Sequence, residues 1–149
     1  MIIKRAETTA EIEQCLSIRE VVFVEEQGVP ISLERDSKDD KALHYIAFDD
    51  DEALGAARVL IMDDVFRFQR VAVLGHVRGR GIGTEMMRFM MDELADRPDA
   101  AGKRFFLSSQ ANVIPFYDRL GFKICSDPYM EAGIEHRDMV ADIEISEAA

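Results

Sequence analysis

The sequence predicts an α/β domain with a mixed, mostly antiparallel sheet flanked by helices. Three observations carry this. Residues 42–74 contain three strand-like apolar segments joined by short acidic turns, which implies an antiparallel meander. An amphipathic segment over 83–95 separates the strands 65–74 and 103–109, so it is a crossover and those two strands are parallel neighbours. No repeat, linker or low-complexity tract divides the chain, and residues 1–149 read as one domain.

The elements follow in order. Ile2 and Ile3 begin a short strand. Thr8-Thr-Ala-Glu11 fits a capping box, and Ile12, Cys15, Leu16, Val22 and Phe23 follow at helical spacing until Gly28-Val-Pro30 stops the helix or its continuation. The charged run 34–41 reads as a loop. Strands are expected over Ala42–Phe48, Ala53–Met62 and Val65–Leu74, with turns at Asp49–Glu52 and Asp63-Asp64. In the helix over 83–95, Met86, Met87, Met90, Met91 and Leu94 share one face, and Glu85, Arg88 and Asp92 the other. A strand over Lys103–Ser109 precedes a short helix over Val113–Leu120, which Gly121 ends. Phe122–Cys125 and Ile134–Ile145 read as a closing hairpin.

Composition bounds the function. Hydrophobic residues make up 48% of the 149, enough for a globular core. A net charge of −11 excludes a general nucleic-acid footprint, which needs a basic surface. It serves solubility or a cationic acceptor. Against it, Arg67, Arg70, Arg78, Arg80 and Arg88 stand out as a basic island. Cys15 and Cys125 have no metal-binding spacing and read as buried thiols in a reducing compartment. No signal segment and no apolar run near 18 residues is present, so a cytoplasmic protein without membrane contact is expected.

Val71 to Thr84 is the most informative stretch. An apolar strand runs into a turn with glycines at 79, 81 and 83, then into a helix. A helix start leaves amide donors free, and its dipole favours an anion. Arg78 and Arg80 add forked donors suited to phosphate oxygens. No Gly-Lys-Ser/Thr exists, which argues against a P-loop. The glycines are spaced by two and Thr84 stands where a dinucleotide fingerprint needs its last glycine.

Arg78-Gly-Arg-Gly-Ile-Gly83 instead matches the pattern Arg/Gln-x-x-Gly-x-Gly/Ala. With Arg70-Val-Ala-Val73 before it, Ser109-Gln-Ala-Asn112 after it and Phe116-Tyr-Asp-Arg-Leu-Gly-Phe122 beyond, the chain resembles the GNAT superfamily of acetyl-CoA-dependent N-acetyltransferases. Arg19 to Pro30, Glu34-x-Asp36 and Glu131 to His136 resemble its small bacterial ElaA-like branch. The resemblance implies the GNAT-like acyl-CoA N-acyltransferase fold, whose central parallel strands splay apart around the pantetheine arm. It implies acetyl-CoA as cosubstrate, no metal, and direct transfer to a primary amine of a small molecule or peptide. Val71, Ala72 and Val73 would hold the acetyl carbonyl and the arm. Arg78, Gly79, Arg80, Gly81, Ile82, Gly83 and Thr84 would hold the pyrophosphate. Phe116 would also hold the cofactor, and Tyr117 beside it would protonate the leaving thiolate.

Asn112 either bonds the arm or caps the 113–120 helix. Glu25, Glu26, His44, Glu131, Glu135 and His136 are the candidate general bases, with His44 better read as a structural histidine inside a strand. His76 lies in the loop before the turn and would meet cofactor or solvent. Residues 24–40 and 126–138 are expected to line the acceptor site, and their acidic and apolar character favours a cationic amine. A non-catalytic acyl-CoA sensor on the same fold is the competing reading, and a homodimer through sheet edges stays open.

Overall fold

The computed structural model describes residues 1–144, so the end of the expected last strand, Ile145, lies outside the described residues. The strands are β1 (Ile2–Arg5), β2 (Leu43–Asp49), β3 (Glu52–Ile61), β4 (Val65–Val73), β5 (Arg104–Gln110), β6 (Lys123–Ile124), β7 (Tyr129–Glu131) and β8 (Ile134–Asp142). They form one sheet in the order β1-β2-β3-β4-β5-β8-β6, with β7 also on β8. Every pairing is antiparallel except β4 with β5. The helices are α1 (Thr9–Arg19), α2 (Ile31–Glu34), α3 (Ile82–Ala95) and α4 (Ile114–Arg119). Among the described residues no helix is long and apolar enough to cross a membrane.

The capping box forms as its sequence dictates. Thr8 Oγ1 accepts from the Glu11 N–H at 3.1 Å, and Glu11 Oε1 accepts from the Thr8 N–H at 3.1 Å. Beyond α1 the chain continues as seven residues of π-helix, Glu20–Glu26, a rare winding that recurs near functional sites. Two short elements, one leading into the expected loop 34–41 and one inside it, are added by the structure. They are α2 and a 3-10 turn over Ser37–Asp40. Strand β7 is also unexpected, because only three residues separate Pro128 from the turn at Ala132-Gly133. That turn has φ of 50° and 75°, which suits a tight hairpin.

The sheet separates two apolar clusters. Met86, Met87, Met90 and Leu94 of α3 pack with Tyr45, Phe66, Phe68 and Phe105 on one face. Cys15, Ile18 and Val22 pack with Ile46, Ala56 and Ala72 on the other. A bulge in β4 decides which residues face which cluster. Ala56 pairs with Ala72 and Arg58 with Gln69, so Ala57 opposes both Arg70 and Val71. Arg70 takes φ 55°, unusual for a non-glycine residue. The extra residue inverts the alternation, and Phe66 and Phe68 face α3 whereas Ala72 faces α1.

Pairing of β4 with β5 covers only Val65↔Arg104 to Phe68↔Leu107. Past that point the two strands part, and the sheet opens at its centre.

Candidate active site

The parting strands make a cleft of about 980 Å³. Its walls come from β4, β5, the π-helical turn, α2, the glycine turn, α4 and the β7–β8 hairpin. The Leu74 N–H donates to Leu54 O at 2.9 Å, so the backbone groups of Leu74 point towards β3. Strand alternation then turns the N–H and C=O groups of Val71 and Val73 into the gap. Arg78 Nε reaches the Val73 carbonyl there at 2.9 Å.

Gly79 and Gly81 both adopt φ 81°, a conformation that costs little only for glycine. Gly81 is the N-cap of α3, and its carbonyl accepts the first helical bond from Glu85 N–H at 3.0 Å. The N–H groups from Gly79 to Thr84 have no acceptor among the described residues. The turn that carries these six donors, with the positive end of a four-turn helix, thus forms one rim of the cleft. A Cβ on Gly83 would sit 3.3 Å from Phe116 Cζ, so the missing side chain lets α4 close on the turn.

Of the residues expected to hold acetyl-CoA, Val71, Ala72, Val73, Arg78, Gly79, Gly81, Ile82, Gly83, Thr84, Asn112 and Phe116 all line this cleft, and Arg80 does not. Asn112 makes no helix cap, since α4 begins after Val113 with no side-chain cap, which removes the capping alternative. The basic island also divides. Arg78 pairs with Glu26 at 2.6 Å, while Arg67 and Arg70 lie on the strand far from the turn. Cys15 is buried, its thiol pushed up to about 12 by burial, but Cys125 is exposed, because β6 has only two residues and ends before it.

Tyr117 is 8% exposed and packs edge-on between Phe116 and Phe122, with ring centroids 5.0 and 5.9 Å away. Burial raises its pKa well above the usual phenol range. Its hydroxyl has no hydrogen-bond partner among the described residues.

The base candidates separate. Glu25, Glu26 and Glu135 are exposed and do not line the cleft. His44 is buried away from it, with Nε2 2.8 Å from the Asp39 carbonyl. Glu131 and His136 do line it. His136 Nδ1 lies 2.7 Å from the Ile134 carbonyl. A carbonyl only accepts, so Nδ1 carries the proton and the neutral ring has its lone pair on Nε2. The ring stacks on Tyr129 at 6.0 Å, and Nε2 lies 3.9 Å from Glu131 Oε2.

A group of buried charges missed in the sequence borders the same cleft. Arg19 and Arg58 are each 1% exposed. Arg19 pairs with Glu34 at 3.0 Å and Asp39 at 2.7 Å. Arg58 pairs with Asp36 at 2.7 Å and Asp39 at 2.9 Å, and donates to Gln69. Arg70 pairs with Glu34 at 2.8 Å. Three guanidinium ions therefore meet three carboxylates. The available signal was Arg58, a lone charge inside the apolar run Ala53–Met62.

A cleft opened between two parallel central strands, with a glycine-led helix start on its rim, defines an acyltransferase type of site. The GNAT acetyltransferase domain family matches residues 7–143, and the chain belongs to that family. Within it the chain falls in the ElaA-like branch. It is 30% identical over 138 residues to YjcF of Bacillus subtilis strain 168, an uncharacterized N-acetyltransferase, covering 92% of this chain and 96% of the relative. The crystal structure of Escherichia coli ElaA superposes with a TM-score of 0.84 at 24% identity, covering 95% of this chain and all of that one. An acyl-CoA N-acyltransferase from Pseudomonas aeruginosa superposes with a TM-score of 0.82 at 27% identity, covering 94% and 97%.

Proposed function

We propose that the protein transfers an acetyl group from acetyl-CoA to a primary amine by direct transfer. The observation that carries this reading is the opened β4–β5 gap, bordered by six free N–H groups and by a buried tyrosine. Bound there, acetyl-CoA supplies an activated acetyl thioester. The turn from Gly79 to Thr84 and the start of α3 bind the pyrophosphate. The Val71 and Val73 backbones hold the arm and donate to the acyl oxygen as negative charge develops on it. His136 Nε2 takes the proton that the attacking amine loses as the C–N bond forms. Tyr117 gives its proton to the sulfur as the C–S bond breaks. Tyr117 reaches the cleft from the α3–α4 face, His136 from the other face of the sheet.

Calorimetry and thermal shift with acetyl-CoA test the donor half. Millimolar acetyl-CoA raises the melting temperature, and absence of both heat and shift overturns the reading. Gly81→Val places a β-branched residue at φ 81°, which distorts the turn and weakens acetyl-CoA by at least about tenfold. Unchanged affinity would remove the turn from the site. His136→Gln lowers kcat by about 10²-fold or more. A kcat within about threefold of the parent's assigns the base elsewhere. Binding of acetyl-CoA without turnover over a broad amine panel would instead support a sensor.

A further inference from the structure

The acceptor end of the cleft lies on the face of the sheet away from α3, and its charges are unevenly committed. Glu34, Asp36, Lys38, Arg58, Arg67 and Arg70 line it. The acidic pair does not await a cation from outside. Glu34 Oε2 already accepts from Arg19 and Arg70, and both oxygens of Asp36 accept from Arg58. Arg58 and Arg70 are spent on those carboxylates in turn.

Arg67 is different. Its guanidinium lies 5.1 Å over the Phe106 ring and donates only to Ser108 Oγ, at 3.2 Å. Its buried Nε has no hydrogen-bond partner. Among the described residues neither Arg67 nor Lys38 has a carboxylate within 4.0 Å. A half-buried guanidinium with free donors, on a wall where Glu34 and Asp36 are neutralised and with Glu131 on the separate β7–β8 hairpin, is a site for an anion.

We propose that the acceptor is an amine carrying its own carboxylate, as an amino acid does, and that Arg67 holds that carboxylate with Lys38 at the mouth. This inference rests on the acetyltransferase reading above. It also reverses the expectation of a cationic amine drawn from the acidic sequence, since the acids at 34 and 36 are internal counter-ions. Arg67 precedes Val71 by four residues, but the bulge takes up one of them, so the two lie about 10 Å apart along the strand. The arginine side chain and the substrate's own backbone share that distance, which places the amine beside Val71 and Val73. A bidentate carboxylate also fixes the amine's direction of approach.

The test uses products, so it does not depend on turnover. Calorimetry on the CoA-loaded protein compares matched pairs. These are N-acetyl-L-phenylalanine with N-acetylphenethylamine, N-acetyl-L-leucine with N-acetylisoamylamine, and Nα-acetyl-L-lysine with N-acetylcadaverine. The expected result is binding at least about tenfold tighter for the carboxylate member of one pair or more. Arg67→Gln brings that pair to within about twofold, and Arg67→Lys keeps part of the difference because it retains the charge without the fork. Equal affinities in every pair, no binding by any carboxylate, or a difference that survives Arg67→Gln overturns the inference. CoA affinity, titrated separately into the unloaded protein, stays unchanged in both variants. Failure of the protein to take up CoA at all would instead bring down the donor reading.

Discussion

Tyr117→Phe lowers kcat by about 10²- to 10⁴-fold, the usual worth of a placed general acid. It leaves acetyl-CoA affinity within about twofold, because the ring keeps its packing and only the hydroxyl is lost. At 8% exposure among Phe116 and Phe122, the phenolate form is disfavoured and the phenol keeps its proton well into the alkaline range. Tyr117 lines the cleft and its hydroxyl has no acceptor among the described residues, so a departing thiolate is an acceptor it can serve. Such a group limits the rate only on the alkaline side, where it would lose its proton. Steady-state kinetics of the variant from pH 6 to 10 checks both points. A kcat equal to the parent's would leave Tyr117 as a core aromatic and nothing more.

Glu34→Ala destabilises the fold by about 3–5 kcal/mol. Glu34 is 1% exposed and lies between Arg19 and Arg70, with Arg19 itself 1% exposed. Removing the carboxylate leaves buried positive charge without its counter-ion, and this penalty exceeds the worth of the pair itself. Against a typical total of about 5–15 kcal/mol, the loss is severe. Urea denaturation reads it as a lower midpoint at unchanged slope. Lys38→Ala, on an exposed residue of the same wall, stays within about 0.5 kcal/mol. Equal midpoints for the two variants would mean that the network adds no stability.

The same network sets an acid limit. Asp36 is held at about 2, first by its hydrogen bonds from Arg58. Burial opposes the charged form of Asp39, but Arg19 and Arg58 outweigh it and its pKa is also lowered. A carboxyl with a lowered folded pKa binds fewer protons folded than unfolded. Its stabilisation is therefore complete above the unfolded value near 4 and is lost as the pH falls towards 2.

The sequence made some parts of this protein legible and hid others. The capping box, the methionine face of α3, the meander and the crossover all formed within a residue or two of expectation, because each is written in local period and spacing. The short helix α2 and strand β7 were hidden. Each is shorter than the window over which a period shows, and each exists because its neighbours hold it. In the sequence Arg58 is one charge inside an apolar strand and Glu34 belongs to a charged loop, since ion pairs between residues tens of positions apart leave no local mark. Arg70 shows the same limit from the other side. It was read as part of a basic island, and its left-handed bulge turns it towards Glu34 instead.

The sequence by itself determined the glycine-turn end of the cleft. The strand, glycine turn and helix start are consecutive from Val71 to Thr84, and backbone stereochemistry acts over that same range. Only the tertiary structure decided the opposite end. Its walls come from α2, β3, β4, β5 and the β7–β8 hairpin, and whether a charge there is free or already neutralised depends on which side chains meet when those segments pack. Coulombic compensation is a property of distances across the fold, and no spacing along the chain records it.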